Sequence, residues 1–121
     1  MANINQKIES ALSGLVNGNI WPLSKPLQED PDTYIVYNPE AEYLDYGDNT
    51  DLEAEMSMQI HWFSKGHANY VAARRQLRDT LRAAGFLLAP SPFVAYEEDN
   101  GKAGSKTGWT HMVLTIRAED D

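Results

Sequence analysis

The clearest pattern in the chain is a strict alternation of apolar and polar residues between positions 52 and 62. The apolar positions are Leu52, Ala54, Met56, Met58, Ile60 and Trp62, and the polar positions between them are Glu53, Glu55, Ser57, Gln59 and His61. A period of two is typical of a β-strand that buries one face and leaves the other wet. The same alternation predicts that Trp62 points into the core and that the next residue, Phe63, points outward.

Two further extended segments precede this strand. Residues 33–37 are rich in β-branched and aromatic side chains and predict a strand, with weaker strand character as far as residue 44. Pro39 should break or bulge it, because proline has no N–H to offer a sheet ladder. Prolines also limit residues 20–23 to a short edge strand or an extended arm. The turn-forming residues 46–50 predict that the two longer strands form a hairpin.

A first amphipathic helix is predicted near the N-terminus. Its apolar residues recur at three- and four-residue spacing and are Ile4, Ile8, Ala11, Leu12 and Leu15. Asn3 or Asn5 is a suitable N-cap, and Gly14 followed by residues 17–19 should end the helix.

A second, longer helix is predicted from about His67 to Gly85. Ser64 is the expected N-cap, and Gly66 should let the backbone turn sharply out of the preceding strand. The predicted apolar stripe consists of Tyr70, Val71, Ala73, Leu77, Leu81 and Ala84. The opposite side carries Arg74, Arg75, Arg78, Asp79 and Arg82.

The C-terminal third of the chain returns to strand patterns. Residues 86–89 should begin a strand that two prolines kink before it continues through residues 93–96. Residues 97–108 hold three glycines and five charges and predict a hairpin loop. Residues 109–117 are partly apolar on both faces, which indicates a central strand or one whose outer face meets a partner.

These elements together predict one α+β domain spanning residues 1–121. The expected order is α-β-β-β-α-β-β, in which the first strand is short and edge-like. The economical arrangement is a mainly antiparallel sheet of about four strands with both helices on one face, because each amphipathic element needs an apolar partner surface.

Composition narrows the class of protein. The absence of cysteine excludes disulfides and thiolate metal sites. There is no apolar run of about 18 residues and no secretory signal pattern, so a protein made and kept in the cytoplasm is expected, without a membrane partner. Eighteen acidic residues against ten basic ones give a net charge of −8, which argues against direct nucleic-acid binding.

No catalytic or cofactor site is predicted. His61, His67 and His111 lack the spacing of metal ligands, and no glycine-rich loop joins a strand to a helix as a phosphate site requires. The acidic run of residues 45–51 does not match the EF-hand spacing. The expectation is therefore a protein that is not an enzyme and binds no cofactor or metal.

Five stretches of the chain resemble one known family. They read NINQKIESALSGL, IWPL, TYIVYNPEAEYLDYGDN, HWFSKGHANYVAARRQLRDTLRAAGF and GWTHMVLTIRAED. This pattern resembles the tail-completion or tail-terminator proteins of long-tailed bacteriophages and prophages, over residues 4–117. Its most distinctive parts are residues 60–86 and the closing strand 109–117.

The resemblance implies an assembly role. Members of that family fold as α+β sandwiches and form rings, commonly hexamers, that cap the completed tail tube. The implied partners are copies of the chain itself, the tail tube protein and the head–tail connector or neck protein. The implied place is the head-proximal end of the virion tail, reached from the host cytoplasm during assembly.

Two sets of residues are candidates for contacts in such a ring. The subunit or partner interface is expected to involve Phe63, Lys65, His67, Arg74, Arg75 and Arg78, although a solvated helix face explains the arginines equally well. DNA must pass through the ring without specific binding, and a carboxylate-lined channel repels phosphate. One of two acidic loops, 39–55 or 97–108, is predicted to face that channel; its candidate residues are Glu40, Glu42, Asp45, Asp48, Glu97, Glu98 and Asp99.

Two alternatives stay open at this point. One is a head–tail joining protein of the same virion region, which also forms rings and has a similar size. The other is a small monomeric α+β binding module, ferredoxin-like in outline, that uses the outer face of its sheet for a ligand. Fold class does not separate these functions.

Overall fold

A computed structural model of the chain describes residues 3–44, 54–89, 93–98 and 108–119, with side chains except at 40–44, 54–56, 98 and 118–119. Its two helices are α1 (Ile4–Leu12), which continues into a 3-10 turn at Ser13–Val16, and α2 (Tyr70–Ala83). The strands are β1 (Ile20–Pro22), β2 (Thr33–Leu44), β3 (Ala54–Lys65), β4 (Leu87–Leu88), β5 (Phe93–Glu98) and β6 (Gly108–Glu119).

The six strands form one sheet in the order β1-β2-β3-β6-β4, and β5 pairs with β6 on the same side as β4. All pairings are antiparallel except that between β1 and β2, which is parallel. The predicted α+β class is confirmed. The predicted count of about four strands is too low, because the kinked segment after α2 pairs with β6 as two separate short strands.

Strand β6 occupies a central position, between β3 on one side and β4 and β5 on the other. This agrees with the first of the two readings of its mixed apolar faces. The expected irregularity in β2 is also present, as a register shift between Pro39 and Ala41. The strand nevertheless continues to Leu44, because the pairing with β3 resumes beyond the bulge.

Helix α1 begins with a reciprocal cap. The Asn3 side chain accepts a hydrogen bond from the Gln6 backbone N–H (2.9 Å), and the Gln6 side chain accepts one from the Asn3 N–H (2.9 Å). The helical segment ends at Asn17 and Gly18, whose positive φ angles of 53° and 80° turn the chain toward β1.

The corner between β3 and α2 differs from the prediction. Ser64 is not the helix cap: it remains in β3, where its hydroxyl contacts that of Thr33 at 2.9 Å. Gly66 turns the chain with a φ of 71°, as expected, and Asn69 caps α2 by accepting from the Ala72 N–H at 3.2 Å. Helix α2 therefore begins at Tyr70, three residues after the predicted start, because residues 66–69 form the connection between the sheet and the helix layer.

The core lies between the two helices and one face of the sheet. It contains Ile8 and Leu12 of α1, Leu77 and Leu81 of α2, and inward-facing residues of the long strands: Ile35, Tyr37, Met58, Ile60, Trp62, Met112, Leu114 and Ile116. The prediction that Met58, Ile60 and Trp62 share a buried face is confirmed.

The predicted stripe of α2 is correct at its centre and wrong at its ends. Leu77 and Leu81 are buried, but Tyr70 is 42% exposed, Val71 46% exposed, and Ala84 exposed. Val71 lies about 120° around the helix from Leu77 and so faces away from the sheet. Tyr70 borders a surface recess of 350 Å³, which leaves its ring open to solvent.

Candidate functional site

The sheet face opposite the helices carries a cluster of rings. No described helix packs on this face, and its ring-bearing residues are Trp21, Tyr34, His61, Phe63, Trp109 and His111, referred to below as the outer-face cluster. All six are half-buried. The strand register produces the cluster, because Phe63 of β3 lies directly between Tyr34 of β2 and His111 of β6.

Phe63 is the centre of this cluster. Its ring stacks on Tyr34 with centroids 4.8 Å apart and on His111 at 4.2 Å. Such ring pairs contribute about 0.5–1.5 kcal/mol each beyond the area they bury. The predicted outward orientation of Phe63 is confirmed. However, Phe63 is not a free surface side chain, because rings from its own chain cover much of it.

Four polar side chains form a hydrogen-bonded row beside these rings. The Glu97 carboxylate accepts from His111 Nδ1 at 2.5 Å, His111 Nε2 lies 2.9 Å from His61 Nδ1, and His61 Nε2 lies 3.1 Å from Gln59 Oε1. An ionised carboxylate only accepts, so neutral His111 presents an acceptor to His61. With Gln59 Oε1 as the acceptor, the three contacts need three N–H groups, so one of the two imidazoles carries a second proton. Both rings can be neutral when the Gln59 amide is turned by 180° and its N–H donates to His61 Nε2. Protonating both would place two N–H groups against each other.

The row makes stability depend on pH. Burial and the neighbouring His111 lower the pKa of His61 below its ordinary 6.5, and Glu97 partly opposes this shift. The unfolded chain therefore binds more protons than the folded one as the pH falls below 6.5, so the stability contribution is present above that pH and is lost as the pH falls through the folded pKa. Replacing His61 with glutamine should reduce the loss of unfolding free energy between about pH 7.5 and about pH 5.5, measured by urea titration.

His67→Gln is the matched control for this experiment. His67 is exposed and stacks on Tyr96 with centroids 3.9 Å apart, away from the row. The control should keep the pH dependence of the unmodified protein. An equal reduction in both variants would contradict a role for the row.

The corner residues predicted as interface candidates touch their own chain but stay accessible. Lys65 Nζ lies 3.4 Å from Asp32 and 3.9 Å from Asp30, and 5.8 Å from the Trp109 ring centroid. Exposed ion pairs of this kind contribute little stability. Lys65 and His67 are therefore both available to a partner.

One side of helix α2 is basic: Arg75 and Arg82 are exposed on it, Arg74 and Arg78 are half-buried, and the exposed Asp79 lies beside them. The members of this side are Tyr70, Val71, Arg74, Arg75, Arg78 and Arg82, and this set is called the basic face below. Within the described part of the chain, no carboxylate lies within 4.0 Å of these guanidinium groups. The predicted candidates Arg74, Arg75 and Arg78 thus form one surface, with two exposed apolar side chains beside them.

A second exposed surface is the connection between β1 and β2, residues 23–32, called the edge loop. Leu27 is 99% exposed and Leu23 is 71% exposed, the latter with a left-handed φ of 70°. The loop also exposes Glu29, Asp30 and Asp32. The sequence pattern did not predict this surface. One feature of the sequence could have indicated it. Leu27 lies between prolines and acidic residues, in a segment whose apolar residues follow neither a helical nor a strand period.

The predicted acidic loops are shorter than expected. Glu40 and Glu42 belong to β2, and Glu97 and Glu98 belong to β5, because antiparallel pairing continues through these positions. Glu97 is bound to His111 through one carboxylate oxygen. Asp45, Asp48 and Asp99 lie outside the described residues, as do the side chains of Glu40, Glu42 and Glu98.

A concave site of 520 Å³ lies where α1 meets the β1 edge. It is lined by Asn3, Ile4, Asn5, Pro22, Leu23, Tyr37, Pro39 and Met58. The Tyr37 hydroxyl donates to Glu9, and burial raises the pKa of Tyr37 well above its ordinary value, with the Glu9 contact adding to the shift. Across residues 3–44, 54–89, 93–98 and 108–119, no three His, Asp or Glu side chains converge as metal ligands would.

Neither helix in the described segments has the length and apolar character needed to cross a membrane.

The fold is similar to that of a known virion component. A chain in the structure titled "Virion of native gene transfer agent (GTA) particle" superposes with a TM-score of 0.52 at 15% sequence identity, covering 97% of this chain and 92% of that one. At this identity the similarity establishes a shared fold. No protein-family model matches the sequence, and no curated protein matches it.

Proposed function

We propose that this chain is a structural protein of a phage-type virion and works by assembly rather than catalysis. The observation that carries the proposal is the fold similarity to a chain of a gene transfer agent virion, because it spans almost the full length of both chains. A fold alone does not fix a function. The exposed surfaces of this chain supply independent support, since the edge loop and the basic face expose the large apolar side chains Leu27, Tyr70 and Val71.

The more specific proposal is a tail terminator. In this role a ring of copies, commonly six in the family that the sequence resembles, caps the finished tail tube, stops its growth and offers a surface to the head connector. Support comes from the resemblance of residues 60–86 and 109–117 to that family. The two segments comprise the second half of β3, all of α2 and most of β6, and β3 and β6 are neighbouring strands in the sheet.

The charge of the chain suits a ring that DNA traverses. A net charge of −8 repels the phosphate backbone and lets DNA pass without adhering. That acidic residues of the 39–55 or 97–108 regions face the channel stays a prediction. An assembled ring whose channel is lined mainly by arginine and lysine would contradict it.

Deleting the gene from its phage or prophage tests the terminator role. Electron microscopy of the resulting lysate should show tails of abnormal length that do not join heads, and expression of the unmodified protein in trans should restore normal virions. Tails of normal length with unattached heads would favour a neck protein instead. Normal infectious virions without the gene would overturn the proposal of a virion structural role.

A further inference from the structure

We infer that the basic face of one copy binds the edge loop of a second copy, so that the chain associates head to tail through two different surfaces. This inference rests on the proposed function, because it names the contact that would join neighbouring subunits of a ring. The basic face carries arginines and the edge loop carries carboxylates, so the two surfaces are complementary in charge. Each also exposes apolar side chains that the other could cover.

The basic face has the composition of a binding surface. Tyr70 and Val71 are nearly half exposed, and Arg74 and Arg78 follow along the same side of the helix at four-residue spacing. Tyrosine and arginine are the residue types that most often dominate the energy of protein interfaces. The guanidinium groups have no carboxylate within 4.0 Å among the described residues, so their hydrogen-bond donors remain available.

The edge loop offers the matching chemistry. Leu27 is almost completely exposed and can pack against Tyr70 and Val71 of a neighbour, which removes apolar surface from water on both sides. Asp30 and Asp32 have side chains about 85% and 84% exposed, and their contacts with Lys65 are long. Arginine binds carboxylates through two parallel hydrogen bonds, which makes these aspartates suitable partners.

The edge loop joins β1 to β2 and its acidic end reaches Lys65 of β3, whereas helix α2 lies over the β4 and β6 side of the sheet. The edge loop follows β1, and β1 and β4 are the two ends of the strand order. Helix α2 contacts β4 and β6, whereas α1 contacts β1. The two surfaces are different patches of the chain, and a contact that joins the basic face of each copy to the edge loop of the next is heterologous. Such a contact repeats from copy to copy and forms a closed ring when the rotation between copies closes.

A nucleic acid is the less favoured occupant of the basic face. Phosphates also bind arginine rows, but the whole chain carries a charge of −8, which opposes the approach of DNA. The same net charge leaves carboxylates in excess, and a second copy brings the acidic edge loop together with an exposed leucine. A duplex offers no apolar counterpart to Tyr70 and Val71.

The absence of cysteine makes a disulfide experiment clean. Leu27→Cys and Val71→Cys, combined in one chain, should give a ladder of cross-linked oligomers on oxidation, in concentrated protein or in purified tails. Replacing Val71→Cys by Gln76→Cys gives the matched control, because Gln76 is exposed on the same helix about 140° away. The Leu27–Val71 pair should cross-link at least about tenfold more than the control pair, because a disulfide forms only when the two Cα atoms come within about 7 Å and the proposed contact brings residue 71, not residue 76, to the edge loop.

Charge reversal provides the second arm. Adding Arg75→Glu and Arg78→Glu to the chain that carries Val71→Cys should abolish most of the cross-linking to Leu27→Cys. Adding Asp30→Lys and Asp32→Lys to the chain that carries Leu27→Cys should restore it. Equal yields for the Val71 and Gln76 pairs, in protein and in tails, would overturn the inference. So would retardation of duplex DNA that is lost in the arginine variant while no cross-link forms.

The outcome separates this contact from the proposed function. Abnormal tails after gene deletion without a Leu27–Val71 cross-link would reject the contact and leave the terminator role standing. A strong cross-link together with normal virions after deletion would support self-association and reject the virion role.

Discussion

Replacing Leu81 with alanine is expected to lower the free energy of unfolding by about 2–5 kcal/mol. Leu81 is fully buried and belongs to the cluster that joins α2 to the sheet. Truncation removes buried methyl groups and leaves a cavity that the rigid sheet beneath cannot fill by collapsing. A single domain has roughly 5–15 kcal/mol of stability, so the loss is a large share of the total. Urea unfolding followed by circular dichroism measures it.

Leu27→Ala is the control for the same chemical change. Leu27 is 99% exposed, so its truncation removes almost no buried area and should change stability by no more than about 0.5 kcal/mol. The Leu27→Ala variant also tests assembly. If it stays folded but loses the head-to-tail contact, Leu27 serves association between copies, whereas Leu81 serves the stability of the single chain. Similar small losses in both variants would contradict the packing of α2 on the sheet.

The strand alternation of β3 could be predicted from the sequence because the physical cause is local. Successive strand side chains point to opposite faces, so a sequence with one apolar and one polar set fixes which set is buried. Met58, Ile60 and Trp62 are accordingly buried, and Phe63 faces outward. The bulge at Pro39 was predictable for the same reason, since the missing N–H is a property of that residue.

The start of α2 could not be fixed by local signals. Ser64 and Asn69 are both good caps, and only the path of the chain decides between them. Lys65 still pairs with Trp109 in the sheet, and buried Thr110 holds the corner by donating to the Gly66 carbonyl (2.6 Å) and accepting from the Ala68 N–H (3.0 Å). The position of β6, more than forty residues away, therefore sets where the helix begins.

The outer-face cluster depends on strand register and was not predictable as a unit. His61 and His111 are fifty positions apart and were expected to be separate surface histidines. The β3–β6 register places Phe63 opposite His111 and His61 opposite Val113, which brings the two imidazoles into hydrogen-bond contact. Without that register, the sequence shows only isolated aromatic and histidine residues on polar strand faces.

Some apolar residues of this chain are exposed and do not belong to the core. Val71 and Leu27 lie on no buried stripe, and Tyr70 lies at the exposed end of the stripe that buries Leu77 and Leu81, so the core does not explain their exposed area. Isolated apolar residues on a surface are ordinary. Here they lie beside arginines on α2 and beside aspartates in the edge loop, and the proposed contact between these two surfaces rests on this arrangement.

Replacing Trp62 with alanine is expected to cost about 3–5 kcal/mol of unfolding free energy, the largest effect of any substitution considered. Trp62 is buried in the middle of the sheet, where it pairs with Ile35 of β2 and Met112 of β6. Its removal opens a cavity between the sheet and the helices.

Trp21→Ala provides the matched control, because Trp21 lies half-buried on the edge strand β1 and its ring centroid is 6.2 Å from that of Tyr34. The control should lose no more than about half as much stability, in proportion to the smaller area it buries. Equal losses of unfolding free energy in urea titrations of the two variants would contradict this prediction. They would mean that the sheet face opposite the helices is packed as closely as the core between the helices and the sheet.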